Sequence, residues 1–211
     1  MAERHLDILG RFQRTVRDCR RFADDARRWS LKGSSPHIST ERRDSIVELA
    51  FLRGFLGWES FLEESFVLHM LGRRPRRAPR PHRYALPPNR KAALDFSSAG
   101  REYAKWDAAP EVIRRAKQFF RDGQPYADPL QLKLNTLQGA QIVRNAVAHR
   151  SGTAANRFEA IARNELKGTL PPGLTVGGFL NLTKPGSAPP ESFLEFYLGT
   201  MQFVAEKIVR P

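Results

Sequence analysis

The sequence predicts an all-α protein, a bundle of four to six helices carrying one small β-hairpin, and three observations lead there. Apolar residues recur every three or four positions through most of the chain, the signature of helices with one buried face. Only one segment, LTVGGFLNLT at 174–183, alternates apolar and other residues around a Gly-Gly pair in the manner of two short strands and a turn. Clusters of Gly, Pro and Ser such as LKGSSPHIST, DGQPYADP and KPGSAPP separate the periodic stretches as breakers. A chain of 211 residues can bury a sizeable core and is read as one domain, 1–211, with residues 73–128 inserted between two core helices.

In order, residues 4–31 place Leu6, Leu9, Phe12, Val16, Cys19, Phe22 and Ala26 on one stripe. Arg14, Arg17, Arg21 and Arg28 lie elsewhere, a basic face that is either solvated or in contact with a polyanion. After the break, Thr40 and Glu41 open a second helix that runs to about Leu71, with Leu52, Phe55, Leu56, Leu62, Phe66 and Met70 facing the core. Glu59 is seven residues from both Leu52 and Phe66, so two turns place it on that buried face. A buried carboxylate requires a cation or good donors, and Arg144 is the expected partner; pairing with another arginine for structural reasons is the alternative. His69 is expected to pack or cap rather than react.

Gly72 is expected to end this helix. The following segment, RRPRRAPRPHRYALPPNRK, has no acidic residue and too much proline for a helix or a central strand. Its arginines, Arg73, Arg74, Arg76, Arg77, Arg80 and Arg83, are expected to lie along an RNA backbone, with His82 and Tyr84 available to stack on bases. A solvated connection and an anchor for an acidic antitoxin protein are the competing readings. Two further helical pieces are expected, Ala92–Trp106 and Pro110–Arg121, with Pro110 in a first turn.

The stretch Leu134–Gly152, LNTLQGAQIVRNAVAHRSG, reads as one helix in register with Leu130, Leu137, Ala140 and Ala148 and stopped at Ser151-Gly152. It carries Arg144, Asn145 and His149 at its C-terminal end. At about 100° per residue, Arg144 and His149 are about 140° apart around a straight helix, whereas Asn145, four residues before His149, shares its face. Histidine exchanges a proton close to neutral pH and arginine keeps its charge and grips two oxygens of a phosphate at once. Those are the residue types needed to take a proton from a ribose 2'-hydroxyl, return one to the leaving 5'-oxygen and offset charge at phosphorus. Helices at 154–166 and 191–209 complete the chain.

The motif of an arginine followed by asparagine, with histidine five positions after the arginine, resembles the hallmark of the HEPN superfamily. With GWESFLEES at 57–65 and GLTVGGFLNLT at 173–183, the likeness is to the RiboL-PSP branch and covers about residues 40–210. The resemblance implies a HEPN-like helical bundle and a metal-independent endoribonuclease that cleaves single-stranded RNA by 2'-hydroxyl attack, as a toxin or a phage-defence effector. It also implies a homodimer whose motif helices form a composite cleft, with Arg144, Asn145, His149 and Glu59 as the catalytic set and no cofactor or metal. A non-catalytic module of the same fold, binding RNA or a partner protein, is the alternative. HEPN toxins silenced by a nucleotidyltransferase antitoxin carry tyrosine two residues after the histidine, where Ser151 stands here.

The formal net charge of +13 points to phosphate-bearing partners, nucleic acid above all. One cysteine, Cys19, excludes an intrachain disulfide, and the five histidines show no metal-ligand spacing with it. No P-loop, dinucleotide-binding turn or Ser/His/Asp arrangement is present. The opening residues are charged throughout and no window approaches a membrane span, so a cytoplasmic protein without membrane contact is expected.

Overall fold

The computed structural model describes residues 4–73, 81–98, 104–149 and 151–210. Among them are nine α-helices and no strand: α1 (His5–Trp29), α2 (Thr40–Met70), α3 (Arg90–Ser98), α4 (Ala109–Phe119), α5 (Ala127–Leu132), α6 (Leu134–Ala148), α7 (Gly152–Leu166), α8 (Val176–Asn181) and α9 (Phe193–Val209). No helix of the described residues is long and apolar enough to cross a membrane. The chain forms two compact units, one of Met1–Gln13, Gly57–Gln138 and Thr200–Pro211, the other of Arg14–Leu56 and Gly139–Gly199.

The first unit is organised on Phe66, which is fully buried and meets the rings of Trp106, Phe119, Phe120 and Tyr126 at centroid distances of 5.2, 6.1, 5.0 and 5.1 Å. Burying one such ring contributes on the order of 1.5–3 kcal/mol. Gly72 ends α2 as its sequence suggests. With φ of +74° it lets the amide of Arg73 reach the Leu68 carbonyl at 3.0 Å and its own amide reach that of His69 at 2.9 Å, the paired bonds of a Schellman stop.

Residues 82–84, within the basic segment, are tied down. Arg83 and Phe120 form an antiparallel bridge, flanked by the Tyr84 amide on the Phe119 carbonyl and the Arg121 amide on the His82 carbonyl, both 2.9 Å. The Arg83 guanidinium donates to the Met70 carbonyl at 2.8 Å, so it complements the C-terminal end of α2. Pro129 falls in the first turn of α5, and the segment expected to be loop as far as that proline is already helical from Ala127.

In the second unit a run of rings joins four helices: Phe158 of α7 meets Phe179 of α8 at 5.5 Å, Phe179 stacks on Phe193 of α9 at 4.2 Å, and Tyr197 of α9 meets Phe51 of α2 at 6.0 Å. The expected hairpin at 174–183 is corrected here, because Val176–Asn181 is helical. Thr175 caps it by accepting the Gly178 amide at 2.8 Å. Gly177 comes so close to α2 that a Cβ would stand 2.3 Å from the Asp44 carbonyl oxygen, which is the work of the Gly-Gly pair. The antiparallel pairing of this region falls later, at a bridge between Thr183 and Ser192 around the KPGSAPP loop.

His69 packs, as expected, in a buried polar group of the first unit. Its Nδ1 is 2.8 Å from the Tyr126 hydroxyl, which donates to Ser65 Oγ at 3.2 Å, and the His5 ring lies 4.0 Å from it between centroids. Burial holds both imidazoles below the ordinary histidine value, His5 to about 4, with Arg73 lowering His5 further and His5 lowering His69. Both rings are therefore neutral when folded, and the unfolded chain takes up the protons first. Stability conferred by this pair is complete above about pH 6.5 and is lost as pH falls towards 4, at up to about 1.4 kcal/mol per pH unit for each ring. Urea unfolding across that window measures the slope, and His5→Leu is expected to flatten it.

Candidate functional site

Arg144 and Asn145 stand on the penultimate turn of α6, and His149 follows its last residue, its amide still bonded to the Asn145 carbonyl at 2.9 Å. Arg144 is half-buried, its guanidinium 6.0 Å from the centre of the Phe55 ring, and its Nη1 donates to Asn145 Oδ1 at 3.1 Å. The asparagine side chain thus serves the arginine. His149 is exposed, and it opens on a cleft of about 420 Å³.

Three elements build that cleft. From the end of α6 come Ala146 and His149; from α7 and its cap come Ser151, Gly152, Ala155, Phe158 and Glu159; from the start of α8 come Leu174, Thr175 and Val176. Ser151, expected only to stop α6, is the N-cap of α7 and accepts the Ala154 amide at 3.3 Å. Arg144 and Asn145 are not among the lining residues. Glu59 belongs to the first unit and is half-buried beside the buried Trp58.

The α8 wall is held by carboxylates that sequence reasoning did not single out. Asp44, almost fully buried, accepts Thr175 Oγ1 on Oδ2 at 2.7 Å, and on Oδ1 accepts Asn181 Nδ2 at 3.3 Å and the Arg43 guanidinium at 2.6 and 2.9 Å. Glu48 accepts the Gly177 amide at 2.8 Å. A buried carboxylate supplied with this many donors is a stable anchor rather than a liability. In sequence Asp44 looks like one more acidic residue near a helix start. The legible signal was Gly177-Gly178, which marks a close backbone approach as readily as a turn.

Of the arginines expected to bind RNA, Arg74, Arg76, Arg77 and Arg80 lie outside the described residues. Arg73 is exposed and Arg83 is engaged at the end of α2. Tyr84 and His82 are both exposed, their rings 5.6 Å apart, and Tyr84 borders a second cleft of about 500 Å³ with Lys117, Asp122 and Asp128. Among the described residues no group of three or more His, Cys, Asp or Glu is placed to hold a metal ion. Compared with protein-family models, curated proteins and solved structures, the chain finds no match in any of the three.

The clamp on α8 makes a direct stability test. Gly177→Ala places a methyl group against the α2 backbone and is expected to cost about 1–3 kcal/mol. Gly152→Ala, where a Cβ meets nothing within 4 Å, is expected to leave the melting temperature within a few degrees of the parent. Thermal unfolding followed by circular dichroism compares the two.

Proposed function

We propose that this protein is an endoribonuclease of the HEPN type that cleaves single-stranded RNA without a metal, with His149 as the proton-transferring residue. The observation that carries the reading is His149 itself, exposed at the end of α6 and opening on a cleft large enough for a nucleotide, one turn beyond Arg144 and Asn145. The net charge of +13 supports a polyanionic substrate. In this reading the imidazole takes the 2'-hydroxyl proton or protonates the leaving 5'-oxygen, and Arg144 offsets the charge that builds at phosphorus. A second copy of the chain is proposed to complete the site, and the cellular role is proposed to be that of a toxin or phage-defence effector.

A second reading has its own support. Arg144 is turned to Asn145 and Phe55 and does not line the cleft, an arrangement that equally suits a non-catalytic module binding RNA or a partner protein. The two readings separate on one assay. Purified protein in EDTA is expected to cut single-stranded RNA to products with 2',3'-cyclic phosphate ends, and His149→Ala is expected to abolish cutting while its circular dichroism stays that of the parent. Intact RNA with the parent protein would leave only the binding module, and a strict need for added divalent metal would overturn the metal-independent mechanism.

The basic segment is proposed to hold the RNA backbone without regard to sequence. Neutralising Arg73, Arg74, Arg76 and Arg77 together is expected to flatten the plot of log affinity against log salt by about 0.7 units per lost contact on a single strand. An unchanged slope with loss of binding to an acidic protein partner would reassign the segment to protein docking.

A further inference from the structure

We propose that the cleft beside His149 is a guanine-accepting subsite and that Glu159 selects the base. This rests on the reading of the cleft as the place where RNA is held. The starting point is a charge of the wrong sign: the chain has a net charge of +13, yet a carboxylate lines the cleft on which the exposed His149 opens. Towards a phosphate that group is repulsive. Its value lies in accepting hydrogen bonds, since an ionised carboxylate is an acceptor only, with two oxygens side by side.

Along α7, Gly152, Ala155 and Glu159 follow at helical spacing and all line the cleft, so the small residues leave room and Glu159 follows Gly152 by about two turns. Phe158, Leu174 and Val176 give the cleft apolar surfaces suited to the faces of a ring. Glu159 accepts from the Arg163 guanidinium at 3.4 Å on Oε2, between two exposed side chains, a pairing worth little. Among the RNA bases guanine alone presents two adjacent donors, N1–H and the N2 amino group, on its pairing edge. Adenine and cytosine set one donor beside an acceptor, and uracil sets its single N–H between two carbonyls, which a carboxylate repels. Glu159 therefore acts by specificity and is a positioning residue for the base, with no part in proton transfer.

The test uses the full chain and non-cleavable 2'-fluoro pentanucleotides, uridine throughout except for a central G, A, C or U, titrated by fluorescence anisotropy at one salt concentration. The parent is expected to bind the G pentamer about tenfold tighter than the other three, the lower range for a bidentate contact. Glu159→Gln, which turns one acceptor into a donor, is expected to bring the four affinities to within about twofold of one another, and Glu159→Lys to tighten all four with no preference for G. Equal affinities in the parent, or a G preference that survives in Glu159→Gln, would overturn the assignment. All-ribose versions of the same pentamers keep the two proposals apart. G-selective binding without cleavage removes the nuclease and leaves the base reader, whereas cleavage indifferent to the central base removes the reader and leaves the nuclease.

Discussion

The approach of Gly177 to the backbone of Asp44 is the constraint on which the candidate site depends. It brings the N-terminus of α8 against α2 at a distance no side chain permits, and the carboxylates of Asp44 and Glu48 then satisfy the polar groups brought inside. Once α8 is fixed, Phe179 is fixed, and with it the edge-on contact to Phe158 and the stack on Phe193. The cleft beside His149 is what remains open between α7 and α8. Its shape follows from that packing.

The first unit solves a different problem, that of burying polar side chains. His5, His69, Tyr126 and Ser65 are all inside, and the bonds among the last three satisfy groups that would each cost about 1–3 kcal/mol if left without partners. The same burial keeps both imidazoles neutral and raises the Tyr126 phenol far above its ordinary range. Arg115 is buried there too, with its guanidinium 4.5 Å from the centre of the Trp106 ring and its Nη1 on the Lys105 carbonyl at 2.9 Å. A strongly basic chain thus places two histidines in its interior as neutral rings and leaves His37, His82 and His149 to the surface.

The motif divides its labour in a way that spacing alone does not reveal. Equal spacing around a helix put Asn145 with His149, four residues apart, but the Asn145 side chain turns to the neighbouring guanidinium and the residue that accompanies His149 in the cleft is Ala146. The Arg144 guanidinium lies 6.0 Å from the centre of the Phe55 ring and donates to Asn145 Oδ1 at 3.1 Å, contacts that restrict a long side chain.

By itself the sequence determined the helical class and most helix positions, because amphipathic periodicity and breaker residues are local properties: Leu134 begins α6, Gly72 ends α2, and Pro110 sits in the first turn of α4. It also displayed the exposed histidine at a helix end. Tertiary structure decided what local signals leave open. LTVGGFLNLT has the alternation of a hairpin, yet a threonine cap and a glycine pressed against Asp44 make it a helix, and contacts with residues more than a hundred positions away outweigh a weak local preference. For the same reason Leu6, Phe22 and Leu56, placed on buried stripes by periodicity, are exposed, since which apolar positions are covered depends on the helices that pack there. The cleft walls and their carboxylate anchors come from separate stretches of chain, and no pattern within any one of them encodes that they meet.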